Sequence, residues 1–110
     1  MKINKETEEK IHELQILEQN FQNISLQKQA FQMELNECDG ALAELGKSGD
    51  EVYKIIGQIM LKTNKKEMEA ELKEKKNILS LRLKSLEKQE SSVREKIENL
   101  RQTIEKEIKN

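Results

Sequence analysis

The chain has 110 residues, of which 37% are charged and 35% hydrophobic, and it contains one Tyr, two Phe and no Pro. So few large apolar side chains exclude a large globular core, and the lack of Pro with only four Gly is typical of long helices rather than of a compact sheet protein. The net charge of −1 excludes the broad basic surface that binds nucleic acid without sequence preference.

The cysteine content and the N-terminus bear on the compartment. The only cysteine, Cys38, excludes an intrachain disulfide and a multi-thiolate metal site. The first six residues, Met-Lys-Ile-Asn-Lys-Glu, hold no apolar run of signal-peptide length, and nowhere do 18 apolar residues follow one another. We therefore expect a cytoplasmic protein that is not exported and does not bind a membrane.

The first predicted element is a helix over residues 5–46. Alternate steps of three and four residues from Leu14 reach ten positions, and nine of these are apolar. They are Leu14, Leu17, Phe21, Ile24, Lys28, Phe31, Leu35, Cys38, Leu42 and Leu45. This repeat places one narrow stripe, called the seam here, along the helix and is typical of a left-handed coiled coil. Its regularity also argues against disorder, which the polar composition alone would allow.

The helical pattern stops at residues 46–50, Gly-Lys-Ser-Gly-Asp, which end the first helix. β-branched and aromatic residues then lie on both sides of Gly57-Gln58. This arrangement predicts strands over 52–56 and 59–63 that are joined by a two-residue type II′ turn, with Gly57 at its first central position.

The predicted hairpin is too apolar and too small to be stable alone. We expect one strongly apolar face, formed by Tyr53, Ile55, Ile59 and Leu61. We expect a mixed face that carries Val52, Ile56 and Met60. An isolated hairpin is marginal in water, and its edges are templates for strands of other chains. Residues 52–63 are therefore the predicted oligomerisation site, through these same seven side chains.

The second predicted helix covers residues 65–109. Asn64 followed by Glu67 resembles a capping box at its start. Steps of four and three residues from Leu72 reach eleven positions, of which eight are apolar. They are Leu72, Lys76, Leu79, Leu83, Leu86, Glu90, Val93, Ile97, Leu100, Ile104 and Glu107.

Charge and seam both favour antiparallel pairing of the two helices. Residues 1–51 carry a net charge of −6 and residues 52–110 a net charge of +5. The expected fold class is thus mainly α, a long antiparallel two-helix coiled coil joined by a β-hairpin, with residues 1–110 as one domain. Lys28 lies within reach of Glu90 in this pairing, but a long lysine also reaches solvent, and that is what we expect of it.

Several segments together resemble the prefoldin beta subunits of archaea. They are residues 49–57 (Gly-Asp-Glu-Val-Tyr-Lys-Ile-Ile-Gly), the return strand 59–63, and the runs 74–76 and 86–90 in the second helix. The resemblance implies a hexamer of two alpha and four beta subunits whose hairpins form β-barrels and whose coiled coils extend as tentacles. It further implies that unfolded polypeptides are held at the tentacle tips without ATP and passed to a group II chaperonin. A structural coiled-coil scaffold or tether without client binding is the alternative.

By this resemblance, client binding falls on apolar residues at the tip, meaning the start of the first helix and the end of the second. These are Ile3, Ile11, Leu14, Ile16, Leu17, Ile97, Leu100, Ile104 and Ile108. Five of them, Leu14, Leu17, Ile97, Leu100 and Ile104, are expected from the pattern alone to be buried in the seam, although fraying of the helix ends would still offer them to an unfolded chain. Ile11, Ile16 and Ile108 are off the stripe and are the stronger candidates.

No residue pattern predicts catalysis. His12 has no second His or Cys at metal-ligand spacing, and Cys38 on the seam has no His partner nearby in sequence. The glycine spacing matches neither a dinucleotide-binding nor a phosphate-binding loop. We therefore expect no enzyme activity, no metal and no cofactor.

Overall fold

A computed structural model describes residues 4–109. The order of elements is α1 (Lys5–Lys47), β1 (Glu51–Ile56), β2 (Ile59–Asn64) and α2 (Lys65–Lys109). Two long helices with an antiparallel hairpin between them confirm the predicted mainly α fold class. The first helix and each strand are one residue longer than the sequence pattern predicts.

The start of α1 is fixed by a cap. The Asn4 side-chain oxygen accepts a hydrogen bond of 2.8 Å from the backbone N–H of Thr7, which has no partner inside the helix. At the other end, the Ser48 hydroxyl donates to the carbonyl of Leu45 at 2.9 Å. Local side chains at both ends therefore stabilise the boundaries of α1.

The start of α2 is capped by Asn64, as predicted. Its side-chain oxygen accepts a hydrogen bond of 2.8 Å from the Glu67 backbone N–H. The Glu67 carboxylate, however, accepts a hydrogen bond from the Thr63 hydroxyl at 3.2 Å. The backbone N–H of Lys65 also donates to the carbonyl of Asp50 at 2.9 Å, which fastens the helix to the entry of the hairpin.

The turn of the hairpin is the predicted one. Ile56 lies opposite Ile59, so the loop consists of Gly57 and Gln58 alone. Gly57 has a φ of 60°, and no non-glycine residue of 4–109 has a positive φ. A positive φ at the first central position only is the geometry of a type II′ turn.

The predicted distribution of side chains between the hairpin faces is wrong. Directly opposite residues share a face, and Ile55 lies opposite Met60 while Leu61 lies opposite Lys54. One face therefore carries Tyr53, Ile55 and Met60, and the other carries Val52, Ile56, Ile59 and Leu61. The reason is the two-residue turn, which pairs odd-numbered residues of β1 with even-numbered residues of β2.

One compact unit comprises residues 4–29 and 84–109. Within it α1 and α2 run antiparallel, since Thr7 contacts Glu107 while Ser25 contacts Glu90. The most buried side chains of the seam here are Thr7, Leu86, Glu90, Ile97 and Ile104.

A second compact unit comprises residues 30–83 and holds the hairpin with the helical segments beside it. Its core consists of Cys38, Leu45, Leu79 and Leu83. The seam position Lys76 is different, because its side chain is 46% exposed and its ammonium lies 2.6 Å from the Asp39 carboxylate. The repeat thus predicts the seam of this unit correctly except at Lys76.

Candidate functional site

The predicted tip residues differ in how much of each side chain is accessible. Of the five seam members, Ile97 and Ile104 are buried, and Leu14, Leu17 and Leu100 are half-buried. These five side chains therefore pack mainly in the seam.

The off-stripe candidates are more accessible. Ile16 is 47% exposed, whereas Ile11 and Ile108 are half-buried. Ile3 lies outside the described residues. The closed helix ends thus present one well-exposed apolar side chain of the predicted set, together with parts of two others.

Polar side chains close the seam at its terminal end. Glu107 accepts a hydrogen bond of 2.7 Å from the Thr7 hydroxyl and also accepts one from the Lys10 ammonium. Thr7 is only 3% exposed, and its hydroxyl and backbone N–H both contact Asn4, the cap of α1. We call Thr7, Lys10 and Glu107 the terminal cluster.

The terminal cluster is electrostatically favourable. The hydrogen bond from Lys10, and then that from Thr7, holds the pKa of Glu107 below its ordinary value. The hydrogen bond to Glu107 in turn raises the pKa of Lys10. Both groups are therefore stabilised in their charged forms while the helix ends are closed.

A second set of polar side chains lies deeper in the same unit. Glu90, which is 9% exposed, accepts hydrogen bonds from Lys28 at 3.2 Å and Ser25 at 3.1 Å, and its carboxylate lies 3.5 Å from Arg94. The hydrogen bond from Lys28 lowers the pKa of Glu90 against the opposing effect of burial. The Lys28 side chain thus remains 36% exposed, but its ammonium also pairs with Glu90, because the buried carboxylate needs a cationic partner.

The hairpin exposes its apolar side chains on both faces. Ile55 is 70% exposed, and most of the other predicted oligomerisation residues are exposed as well. They are Tyr53, Ile56, Ile59, Met60 and Leu61, while Val52 is half-buried. Such a concentration of exposed apolar groups on a small ribbon is the usual mark of an interaction surface.

An open groove of about 460 Å³ lies beside the hairpin within the unit of residues 30–83. Its walls include Leu45, Val52, Tyr53, Met68 and Leu72. The hairpin therefore adds an apolar groove to the exposed apolar surface of its strands.

Comparison with known proteins identifies the family to which this architecture belongs. Residues 8–110 match the family model described as prefoldin subunit. The chain belongs to the prefoldin subunit family. Its hairpin and paired helices are accordingly features shared with other prefoldin subunits, and the predicted resemblance to this family is confirmed.

Curated relatives that the chain resembles are archaeal prefoldin beta subunits. The prefoldin subunit beta of Pyrobaculum islandicum is 40% identical over 89 residues, which cover 79% of this chain and 71% of that protein. The prefoldin subunit beta of Pyrococcus furiosus is 40% identical over 95 residues, which cover 84% and 81% of the two chains.

A solved structure agrees with these relatives. The prefoldin beta subunit of Thermococcus strain KS-1 is 35% identical, with a TM-score of 0.90 over 99% of this chain and 97% of that chain. The similarity thus includes both helices and the hairpin. It places the exposed apolar hairpin in a family whose members are subunits of larger complexes and which is a family of chaperones, not of enzymes.

Sequence reasoning missed the terminal cluster and the roles of Ser25 and Arg94. Extending the repeat backwards from Leu14 by four and three residues reaches Lys10 and Thr7, whose polar side chains do not signal a seam. Glu107 lies at a seam position, but the repeat alone gives it no partner. The signal was therefore the repeat itself, extended through polar residues.

The remaining candidate residues have simple surroundings. His12 is exposed and Cys38 is buried, and within residues 4–109 no group of three or more His, Cys, Asp or Glu side chains is arranged to hold a metal ion. Neither helix of the described chain has a stretch that is both long and apolar enough to span a bilayer.

Proposed function

We propose that this chain is a beta-type subunit of a prefoldin hexamer with two alpha and four beta subunits. The complex captures unfolded polypeptides in the cytoplasm at its coiled-coil tips, without ATP, and delivers them to a group II chaperonin. Residues 1–110 act as one prefoldin-like domain. The observation that carries the proposal is the exposed hairpin on a chain that resembles a prefoldin beta subunit along nearly its whole length.

The hairpin supports the assembly part of the proposal. Among residues 4–109, the outer edges of β1 and β2 have no strand partner. Pairing with hairpins of other subunits closes these edges into a β-barrel and buries Tyr53, Ile55 and Met60, whose burial drives association.

The helix ends support the capture part. Off-stripe apolar side chains such as Ile16 offer weak contacts to an unfolded chain, and each subunit of a hexamer contributes its own set. Several weak contacts that are linked in one complex raise the avidity without a deep pocket. Such binding suits clients of varied sequence and uses no nucleotide. The glycine spacing, which lacks a phosphate-binding pattern, agrees with this.

The alternative is a structural scaffold or tether. Two seams and an oligomerising hairpin serve a tether equally well, and in that case the off-stripe residues need no client. What favours the chaperone is the likeness of nearly the whole chain to a prefoldin beta subunit, since exposed apolar residues outside the seam also occur away from the tip.

The test combines assembly with client holding. The chain is mixed with an alpha-type prefoldin subunit, the mass of the complex is measured, and aggregation of guanidinium-unfolded citrate synthase is followed by light scattering without ATP. We expect the triple variant Ile11→Ser, Ile16→Ser, Ile108→Ser to form the same complex but to require about threefold more of it for equal suppression.

The matched control replaces three apolar residues of the other unit, Met33, Ile78 and Leu81, by Ser; these side chains are also exposed and off the seam. This control should suppress aggregation like the unaltered chain. Equal suppression by the tip variant would reject the tip residues as client contacts. A complex of the correct mass that suppresses nothing would reject the chaperone and favour the tether.

A further inference from the structure

The helix ends combine two properties that oppose each other. Capture of an unfolded chain needs apolar surface, yet the closed ends bury Ile97 and Ile104 and half-bury Leu14 and Leu17. The same unit therefore holds apolar surface in its seam that is not accessible while the ends are closed. Separation of the helix ends would expose it.

The terminal cluster is what holds these ends together beyond the last apolar layer. Thr7 on α1 and Glu107 on α2 are 100 residues apart in sequence and are joined by a hydrogen bond of 2.7 Å, with Lys10 on the same carboxylate. Thr7 also contacts the cap residue Asn4, so the cap of α1 holds Thr7 in place for its contact with Glu107.

The contacts of the terminal cluster hold the two helix ends together only weakly. Lys10 and Glu107 are each roughly 30% exposed, so water screens their attraction and solvates both groups once the ends part. An apolar pair at these positions would resist opening at all salt concentrations. The inner polar set around Glu90 is more deeply buried and marks the other end of the apolar stretch.

We propose that the terminal cluster is a latch that sets how often the helix ends separate and so how much seam surface is offered to an unfolded polypeptide. This inference rests on the proposed function. In the latched state the side chain of Ile16 and parts of Ile11 and Ile108 are accessible to the client. In the open state the seam leucines and isoleucines between the latch and Glu90 become accessible.

Two variants change the latch in opposite directions. Glu107→Lys places a second cation beside Lys10 and opens the ends, while the added cation suits the C-terminal end of a helix and preserves α2. The pair Thr7→Val and Glu107→Leu replaces the polar contact by an apolar one and closes the ends. Neither variant alters the proposed client contacts.

Both readouts use the assembled complex. Hydrogen exchange of the amides in 8–17 and 97–106 should accelerate about tenfold in Glu107→Lys and slow by a similar factor in the apolar pair. Suppression of aggregation of guanidinium-unfolded citrate synthase should need about twofold less complex for Glu107→Lys and about twofold more for the apolar pair. The apolar pair is decisive, because its added hydrophobicity alone would improve client holding.

The control Glu105→Lys makes the same charge change at an exposed residue two positions away and should change neither readout. Exchange rates that shift while client holding stays constant would overturn the latch and leave the proposed function intact. Failure of the unaltered complex to suppress aggregation would overturn both. Unchanged exchange in the two latch variants would show that the cluster does not control opening.

Discussion

Two polar side chains, Thr7 and Glu90, are buried in a seam that otherwise consists mostly of apolar residues. Each has partners on the opposite helix, and no buried side-chain polar atom of residues 4–109 lacks a hydrogen bond. A buried polar group costs stability unless it is paired, so both residues favour the one helix register that places their hydrogen-bond partners beside them. The polar residues therefore specify the pairing that the apolar residues stabilise.

The ion pairs between the helices do not simply follow the net charge of each half. The two with the acidic partner on α1 are Glu18–Arg101 and Asp39–Lys76, and the two of opposite sign are Lys10–Glu107 and Lys28–Glu90. The pairs with both members at seam positions, Lys10–Glu107 and Lys28–Glu90, oppose the overall charge difference. Position in the repeat thus decides which charges meet.

Acidification should destabilise the chain through Glu90 and Glu107. Both carboxyl groups have a folded-state pKa below the ordinary value of 4.5, so their contribution is complete above that pH and is lost as the pH falls through the lowered pKa values. We expect the melting temperature, followed by circular dichroism, to fall between about pH 5 and about pH 3.

The variant Glu90→Gln isolates one group in this experiment. At pH 7 it should melt about 4 °C below the unaltered chain, because it replaces a charge-assisted hydrogen bond by a neutral one, and the difference should shrink in acid. Glu87→Gln, at an exposed position on the same helix, is the control. A difference that is independent of pH would contradict this account of Glu90.

At the scale of elements, short local signals fix where each helix and strand begins. Asn4 and Asn64 cap the two helices through equivalent hydrogen bonds of 2.8 Å to the third residue on. Gly57 supplies the positive φ of the turn. These signals are local because each depends on the backbone within a few residues.

Replacing Gly57 should therefore weaken the hairpin specifically. Gly57→Ala forces a side chain into a left-handed conformation, which costs about 1 kcal/mol, although there is open space around the position. We expect a melting temperature of the assembled complex about 4 °C lower.

Gly40→Ala is the matched control for the turn variant. Gly40 lies inside α1 with open space around it, so alanine should stabilise the helix by about 0.5–1 kcal/mol. Equal melting temperatures for the two alanine variants would show that the turn does not need glycine.

At the scale of the whole molecule, the exposed hairpin is the feature that a single chain leaves incomplete. Ile55 is more exposed than any other large hydrophobic residue of the described chain, and it shares a face with Tyr53 and Met60. Within residues 4–109 the two strands have no further strand beside them, and an isolated two-stranded sheet is marginally stable in water. The proposed assembly through this surface accounts for its apolar character.

A charge on this surface should prevent assembly without unfolding the helices. We expect Ile55→Lys to abolish the complex with an alpha-type subunit, as measured by light-scattering mass, while the helical circular dichroism of the chain is retained. The control is Leu81→Lys, because Leu81 on α2 is similar to Ile55 in size and exposure. This variant should leave the mass of the complex unchanged. Retention of the complex by Ile55→Lys would remove this face from the interface.

The sequence by itself determined the order of the elements, nearly all seam positions and the turn type. These features depend only on residues that are close in sequence: the apolar repeat, the two asparagine caps and Gly57. They can therefore be predicted without knowing the tertiary structure. For the same reason, the predicted boundaries of the helices and strands lie within one residue of those observed.

Only the tertiary structure decided which groups meet. The contacts of Thr7 with Glu107 and of Lys28 with Glu90 join residues 100 and 62 positions apart, and the side chains that share a hairpin face depend on strand register. A repeat gives every polar seam residue several possible partners, one per register. The buried polar residues favour one register and the apolar layers stabilise it, and in that register the residues of the terminal cluster meet.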